Sequence, residues 1–438
     1  MTSRIPIDLS PAKAGVYHTS NLGKRSAETA NELLHQNHEL FHIFFNDQGF
    51  HNHIAHYLLT AFAIGATPDQ LQRMYDDQKL LQRPPPSLHG NIPQNMHDGK
   101  VFREHLGNQN YYQDYLRFFE SQISIHGWEN VLQDHLFSRS ENAELVLTRM
   151  FASFLHPIIH LGFGVEFQQP AIIAEALAQA AIHVNDVAAI LYAMESASAH
   201  QTARPMLELI DAARRNEKIR DAPCWGNGFG INDDAFLDAP EELVQIAAQW
   251  RVLPEEHDLA EKTAEMINTN AFFVGASQAP PKEYKLDFYL IHNVNCSIFF
   301  SAMLNQDWLS LKDKARLLEW KGRFDILSYV SRGSPQLLGD EITAYRSKRP
   351  KHGWEDLFQD ANKLEDDSHV CKLIRALANG SVVCKPYEGK DGARFPTTAE
   401  MWLQIARMAI DTTENVAYED RWVKAAGFKA SWDKFANR

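Results

Sequence analysis

Residues 142–160 read NAELVLTRMFASFLHPIIH and residues 170–197 read PAIIAEALAQAAIHVNDVAAILYAMESA. Both stretches carry their apolar residues at helical rather than alternating spacing. Pro170 suits a first helical turn, where its missing amide is not needed. Gly162 and Gly164, between the two stretches, are expected to end the first helix. The same pattern spreads outward in both directions. Helices are predicted over about 26–45 and 52–66, the second ending near Gly65. Thr67-Pro68-Asp69-Gln70 then reads as a fresh start, with Thr67 and Gln70 forming a capping box around Pro68. Further helical patterns cover about 101–136, 240–250, 257–275, 284–305, 310–332, 367–380, 397–412 and 419–434. Three consecutive prolines mark 80–100 as a loop. Residues 217–235, with CWGNGFGIND, read as a glycine-rich loop, residues 1–25 as an irregular arm, and 333–366 carries the weakest pattern. Strand-like alternation is scarce. The expected fold is all-α, a single large multi-helix domain over 26–438 with any metal site in its helical core.

Composition narrows the function. The chain has 438 residues, 45% hydrophobic and 23% charged, which is ordinary for a globular protein. A formal charge of -13 repels phosphate backbones, so no nucleic-acid partner is expected, and no anionic membrane. The leading MTSRIPIDLSPAKAGVYH has no apolar core. No run approaches the roughly 18 apolar residues that span a bilayer. Four scattered cysteines without a CxxC pair read as free thiols, and a cytoplasmic location is expected. There is no GxGxxG in a βαβ setting, no P-loop, no GxSxG and no HExxH, so no readable motif supports a nucleotide or flavin cofactor.

Histidine is the unusual component, with 20 residues. His156 and His160 are four apart, hence on one helical face, where two imidazoles can share a metal. Pro157 between them should kink the helix and release a carbonyl. His53 and His56 share a face of an apolar helix, and a buried imidazole must be bonded or bound. His35, His38 and His42 form another stripe, readable as a second metal face or as a partly solvated surface. His292 is a lone histidine in the apolar LDFYLIHNVNCSIFF. His369, Lys372 and Arg375 or Ala376 share one stripe of DDSHVCKLIRALANG, capped by Asp366, Asp367 or Ser368 and ended by Gly380. An inward Lys372 would have to be neutral or carry a carbamate. For each histidine the plainer alternative is a core residue bonded to backbone. Imidazoles with one oxygen donor suit iron, with zinc, copper or nickel less favoured.

The chain resembles the questin oxidase-like family, fungal proteins associated with aromatic polyketide pathways. The resemblance rests on Gly49-Phe50-His51-Asn52-His53 with His56, on Tyr111-Tyr112 and Phe118-Phe119-Glu120, and on the block Leu155 to Pro170 followed by EALAQAAIH ending at His183. His292 in its apolar helix, HVCKLIRALANG and the closing RWVKAAGFKASWDKF extend it over nearly the whole chain. It implies oxidative ring opening of anthraquinones and related compounds, described as Baeyer–Villiger-type and in some cases with NADPH. It also implies a non-haem Fe(II) dioxygenase site of histidines completed by a carboxylated lysine. The matching positions are His53 or His56, His156, His160, His292 and Lys372, with Lys385 the alternative lysine. Phe154, Phe163, Phe167, Tyr289 and Trp225 are then expected to line a flat aromatic pocket, and Glu166 and His183 to act as acid–base groups. The implied partners are an aromatic polyketide and O2, with the oligomeric state open. The rival readings are a metal-free NADPH monooxygenase, a zinc hydrolase and a non-catalytic binding protein.

Overall fold

A computed structural model describes residues 5–220, 241–392 and 394–438. The predicted loop segment CWGNGFGIND, with Trp225, lies outside the described residues. Among those described, helices dominate and no strand forms; only three isolated bridges occur. The chain clusters into two compact units. The first comprises Met1–Asp186, Gln306–Leu309 and Glu365–Lys372, and the second Val187–Asn305, Ser310–Leu364 and Leu373–Arg438.

In the first unit the principal helices are α1 (Lys24–Leu40), α2 (Ile54–Ala63), α3 (Pro68–Lys79), α4 (Tyr112–His126), α5 (Glu141–Arg149), α6 (Ala152–Glu166) and α7 (Pro170–Ile182). The predicted capping box forms at α3. The Thr67 hydroxyl accepts from the Gln70 amide, and the Gln70 side chain accepts from the Thr67 amide. Helix α7 is apolar apart from Glu175 and Gln179, is buried from Ala171 to Ile182, and packs on α6 and α4. Its Ile172, Ile173 and Leu177 are fully buried, each worth roughly 1.5–3 kcal/mol relative to exposure. Among the described residues of the N-terminal arm, 5–23 contain no helix, as expected, α1 taking the last two positions, and the arm is pinned down. Leu9 exchanges both backbone bonds with the Asn31 amide, and the Asp8 amide donates to Gln169.

Several predicted boundaries shift. The glycines expected to end α6 lie inside it. A Cβ on Gly164 would sit 2.7 Å from the Ile173 side chain and 2.9 Å from its backbone nitrogen. Gly164 is therefore the notch that lets α6 and α7 touch, not a terminator. The stretch read as one helix over 170–197 breaks after Ile182 and resumes as α8 (Ala188–Ser198).

In the second unit the core helices are α9 (Met206–Arg215), α10 (Glu256–Ala276), α11 (Leu290–Leu304) and α12 (Leu311–Ser331). Helix α10 packs on α11 and α12. Asp287 caps α11 through the amides of Tyr289 and Leu290, so this helix starts later than 284. Helix α13 (His369–Val383) begins in the first unit and continues in the second; α14 (Ala399–Asp411) follows. Gly380 does not end α13, because it is the seat for Trp402, whose ring would lie 2.5 Å from an added Cβ. The helix predicted over 419–434 is absent. Two short 3-10 turns stand there, around the Asp287–Val423 bridge and the buried Trp432 and Phe435. No single helix among the described residues is long and apolar enough to cross a membrane.

Candidate metal centre

The site begins with a break in the backbone. Helices α5 and α6 meet at 101°. Within the first turn of α6, Ser153, Phe154 and Leu155 run in the left-handed region, at φ of 43°, 57° and 68°. Such a conformation costs roughly 1–2 kcal/mol per residue, so packing must hold it. The kink expected at Pro157 lies about one turn earlier, at residues 153–155. A proline ring clashes with the carbonyl four residues back, which is that of Ser153, and cannot donate to it. His156 Nδ1 donates to the Ser153 oxygen instead, at 2.6 Å. That bond fixes the ring tautomer, leaving Nε2 unprotonated and turned inward.

Two more imidazoles meet it. His53 precedes α2, whose start is held by Asn52 accepting from the Ile54 amide at 2.9 Å. Its Nε2 lies 3.0 Å from His156 Nε2. His369 opens α13, and its Nδ1 donates to Asp367 at 2.6 Å, so its Nε2 is also unprotonated. One ring nitrogen from each of His53, His156 and His369 lies within 4.8 Å of the others. Burial, with the positive charge of Lys372, pushes His53 and His156 well below the ordinary imidazole range. Burial also lowers His369, partly offset by Asp367. The rings are thus neutral, the form that ligates. Lys372 stands one turn after His369 and is buried, and its Nζ has no hydrogen-bond partner. Burial lowers its ammonium to about 8. Metal–nitrogen bonds near 2.1 Å place ligand nitrogens roughly 3–4 Å apart. Three converging imidazoles beside an orphaned amine fit a divalent cation.

The remaining residues expected at the site divide. His56 and His160 face each other, with His56 Nε2 3.1 Å from His160 Nδ1. They adjoin the triangle through His56, whose ring lies 5.5 Å from that of His53. His183 ends α7 with Nε2 2.9 Å from His51 Nε2, and His51 stacks on His156 at 3.9 Å. Burial, with Arg149, pushes His183 down to about 3. Glu166 accepts from the Val16 amide and so holds the N-terminal arm. Phe163 stacks on His56 at 5.0 Å and Phe167 on Phe163 at 6.2 Å, while Phe154 sits in the left-handed turn. His292 and Tyr289 belong to the second unit. There His292 Nδ1 donates to the Phe288 oxygen, and the Arg332 guanidinium lies over Tyr289. Lys385 is exposed.

Sequence reasoning passed over His369 as a ligand. Its signal was its place at the capped start of a helix one turn before Lys372. In the stripe His35, His38, His42 the first two are half-buried and the third buried, and each is hydrogen-bonded within the protein. His35 accepts from the Ile7 amide, His38 bridges Glu120 and Glu175, and His42 bonds the Gln109 oxygen and the Phe44 amide.

The sequence profile of the questin oxidase-like family matches residues 50–377, a span that encloses His53, His156, His369 and Lys372. The chain is 41% identical to the Baeyer-Villiger monooxygenase dmxR6 of Cryptosporiopsis sp. (strain 8999), over 98% of both lengths. It is 39% identical to the oxidoreductase AflY of Aspergillus parasiticus, over 94% of this chain and 83% of that one. Identity to the questin oxidase of Aspergillus terreus is 36%, over 99% of this chain and 98% of that one.

Proposed function

This chain belongs to the questin oxidase-like family, and from that premise we propose that it is an iron-dependent oxygenase that cleaves a ring of an anthraquinone-type aromatic polyketide. That it is an oxidoreductase follows from the family and from relatives named as oxidases. The observation that carries the metal reading is the triangle of His53, His156 and His369 beside the unpartnered amine of Lys372. When bound there, ferrous iron supplies the one-electron chemistry that lets triplet oxygen react with a closed-shell ring.

The chain's own residues do the rest. The Ser153 carbonyl and the Asp367 carboxylate orient His156 and His369 before any ligand arrives, so little reorganisation is needed on binding. Lys372, eased toward its neutral form by burial, has the nucleophilic nitrogen that attacks carbon dioxide. The N–C bond forms, one proton leaves, and the resulting carbamate offers an oxygen donor beside the three imidazoles. Phe163 stacks on His56 and Phe167 on Phe163, so an aromatic wall backs the imidazoles. Residues around the triangle are buried, which excludes water from the reacting centre.

The relatives named Baeyer-Villiger enzymes favour a second reading, oxygen insertion beside a ring carbonyl; in its metal-free form, NADPH would supply the electrons. One experiment separates the two. Purified protein is assayed for iron content and for oxygen uptake with an anthraquinone, before and after chelation. The iron reading expects about one iron per chain, and loss of both iron and uptake in His156→Ala and His369→Ala. Turnover that survives chelation, with NADPH consumed in step with product, would overturn it.

A further inference from the structure

Beside the triangle, six side chains form one unbroken hydrogen-bonded series. Arg117 donates to Glu120 Oε2 at 2.7 Å, and His38 Nε2 to Glu120 Oε1 at 2.8 Å. His38 Nδ1 donates to Glu175 Oε1 at 2.6 Å, and His160 Nε2 to Glu175 Oε2 at 2.7 Å. His160 Nδ1 then faces His56 Nε2 at 3.1 Å. Side-chain exposure falls from 46% at Arg117 through 13% at Glu120 to 1% at His160, so the series leads from the surface to the interior.

The direction of each bond can be assigned. Carboxylate oxygens accept, so both nitrogens of His38 donate and the ring is an imidazolium. Burial opposes that charge, yet the bonds and charges of Glu120 and Glu175 outweigh it and lift His38 to about 10. Arg117, Glu120, His38 and Glu175 alternate in sign and cancel. The Glu175 carboxylate can only accept, so the N–H of the His160 ring sits on Nε2, and Nδ1 is left as the acceptor that faces His56. An unprotonated Nδ1 facing His56 Nε2 needs an N–H from it. His56 thus carries its proton on Nε2, and its Nδ1 is an unprotonated nitrogen that is buried and has no hydrogen-bond partner. Leaving such an atom unsatisfied costs about 1–3 kcal/mol, so it points to a ligand.

We propose that Glu120, His38, Glu175 and His160 are positioning residues that hold His56 in the single tautomer whose Nδ1 is available as a further nitrogen donor to the metal centre. The inference rests on the metal reading above. Removing the double donor at His38 leaves Glu175 with one partner, and the polarity of the His160–His56 bond is then free to reverse.

The test is titration of the metal-free full-length protein with Co(II) against a competing chelator, with thermal melts to confirm folding and the visible spectrum of bound Co(II) as a second readout. His38→Gln and Glu120→Gln are expected to weaken Co(II) binding roughly 10–100-fold, the usual effect of losing a ligand-orienting group. Their Co(II) spectra are expected to shift. His38→Arg keeps a cation with donors for both carboxylates, and is expected to retain wild-type affinity and spectrum. Should His38→Gln fail to fold, Glu120→Gln at the partly exposed end decides. Wild-type affinity and spectrum in the folded variants would overturn the inference. If His53→Ala and His156→Ala also bind Co(II) like wild type, the metal reading falls with it. If those two lose Co(II) while the outer variants do not, this inference alone falls.

Discussion

Replacing Lys372 with methionine should stabilise the metal-free protein while abolishing its activity. Methionine has a similar length and no branching, so it can occupy the same channel through the packing without leaving a void. What disappears is a buried ammonium with no hydrogen-bond partner. Burial lowers that group from the ordinary 10.5 to about 8. A depression of that size corresponds to about 3 kcal/mol of unfavourable charge burial at pH 7. Spread over the unfolding entropy of 438 residues, at about 2.1 cal/mol/K each, the gain is about 3 °C in melting temperature. The pH dependence has a definite sign. Between about 8 and 10.5 the unfolded chain holds the proton that the folded chain has released. Wild-type stability must therefore rise with pH across that window, as the penalty fades, and the methionine variant must lack the rise. Melts of metal-free protein in carbon-dioxide-free buffer at pH 7 and pH 10 measure both effects, and oxygen uptake by the metal-loaded variant measures the third. A variant that melts several degrees below wild type at pH 7, or that keeps full activity, would refute the reasoning.

Three further outcomes follow from local geometry. Gly164→Val should destabilise the protein by about 1–3 kcal/mol, because its Cβ meets Ile173 at 2.7 Å and neither helix can yield cheaply; urea denaturation reads the loss. Ser153→Gly relieves the first left-handed residue at φ 43° and should stabilise by about 0.5–1 kcal/mol with activity intact, as measured by the same denaturation. His38, held at about 10 against an ordinary 6.5, contributes stability that is complete below pH 6.5 and is lost as pH rises through about 10. Melting curves of His38→Gln should therefore approach wild type at high pH and fall below it near pH 6.

The helices were legible because their signals are local. The capping box at Thr67 and the apolar face of α7 each involve residues within one or two turns of each other, and the structure bears them out. Gly164 and Gly380 were misread because a glycine that ends a helix and a glycine that admits a neighbour look alike in sequence. The distinction lies in Ile173 and Trp402, each of which packs from a different helix of the fold. Pro157 was read correctly as a source of a released carbonyl. Which donor would take that carbonyl, His156 Nδ1, required the left-handed turn at 153–155.

The sequence by itself established an all-α oxidoreductase of the questin oxidase-like family, with histidine pairs at His53/His56 and His156/His160. Helical periodicity says that each pair shares a face, and nothing more. Tertiary structure alone decided that the pairs meet crosswise, His53 with His156 and His56 with His160, and that His369 closes the first group. It alone set Glu120, His38 and Glu175 behind the second. The meetings of His53 with His156, His56 with His160 and His38 with Glu175 join residues more than a hundred positions apart, and they depend on how α1, α2, α6, α7 and α13 pack. No spacing along the chain encodes that contact. The burial that makes the imidazoles neutral and Lys372 weakly basic is likewise a property of the assembled interior.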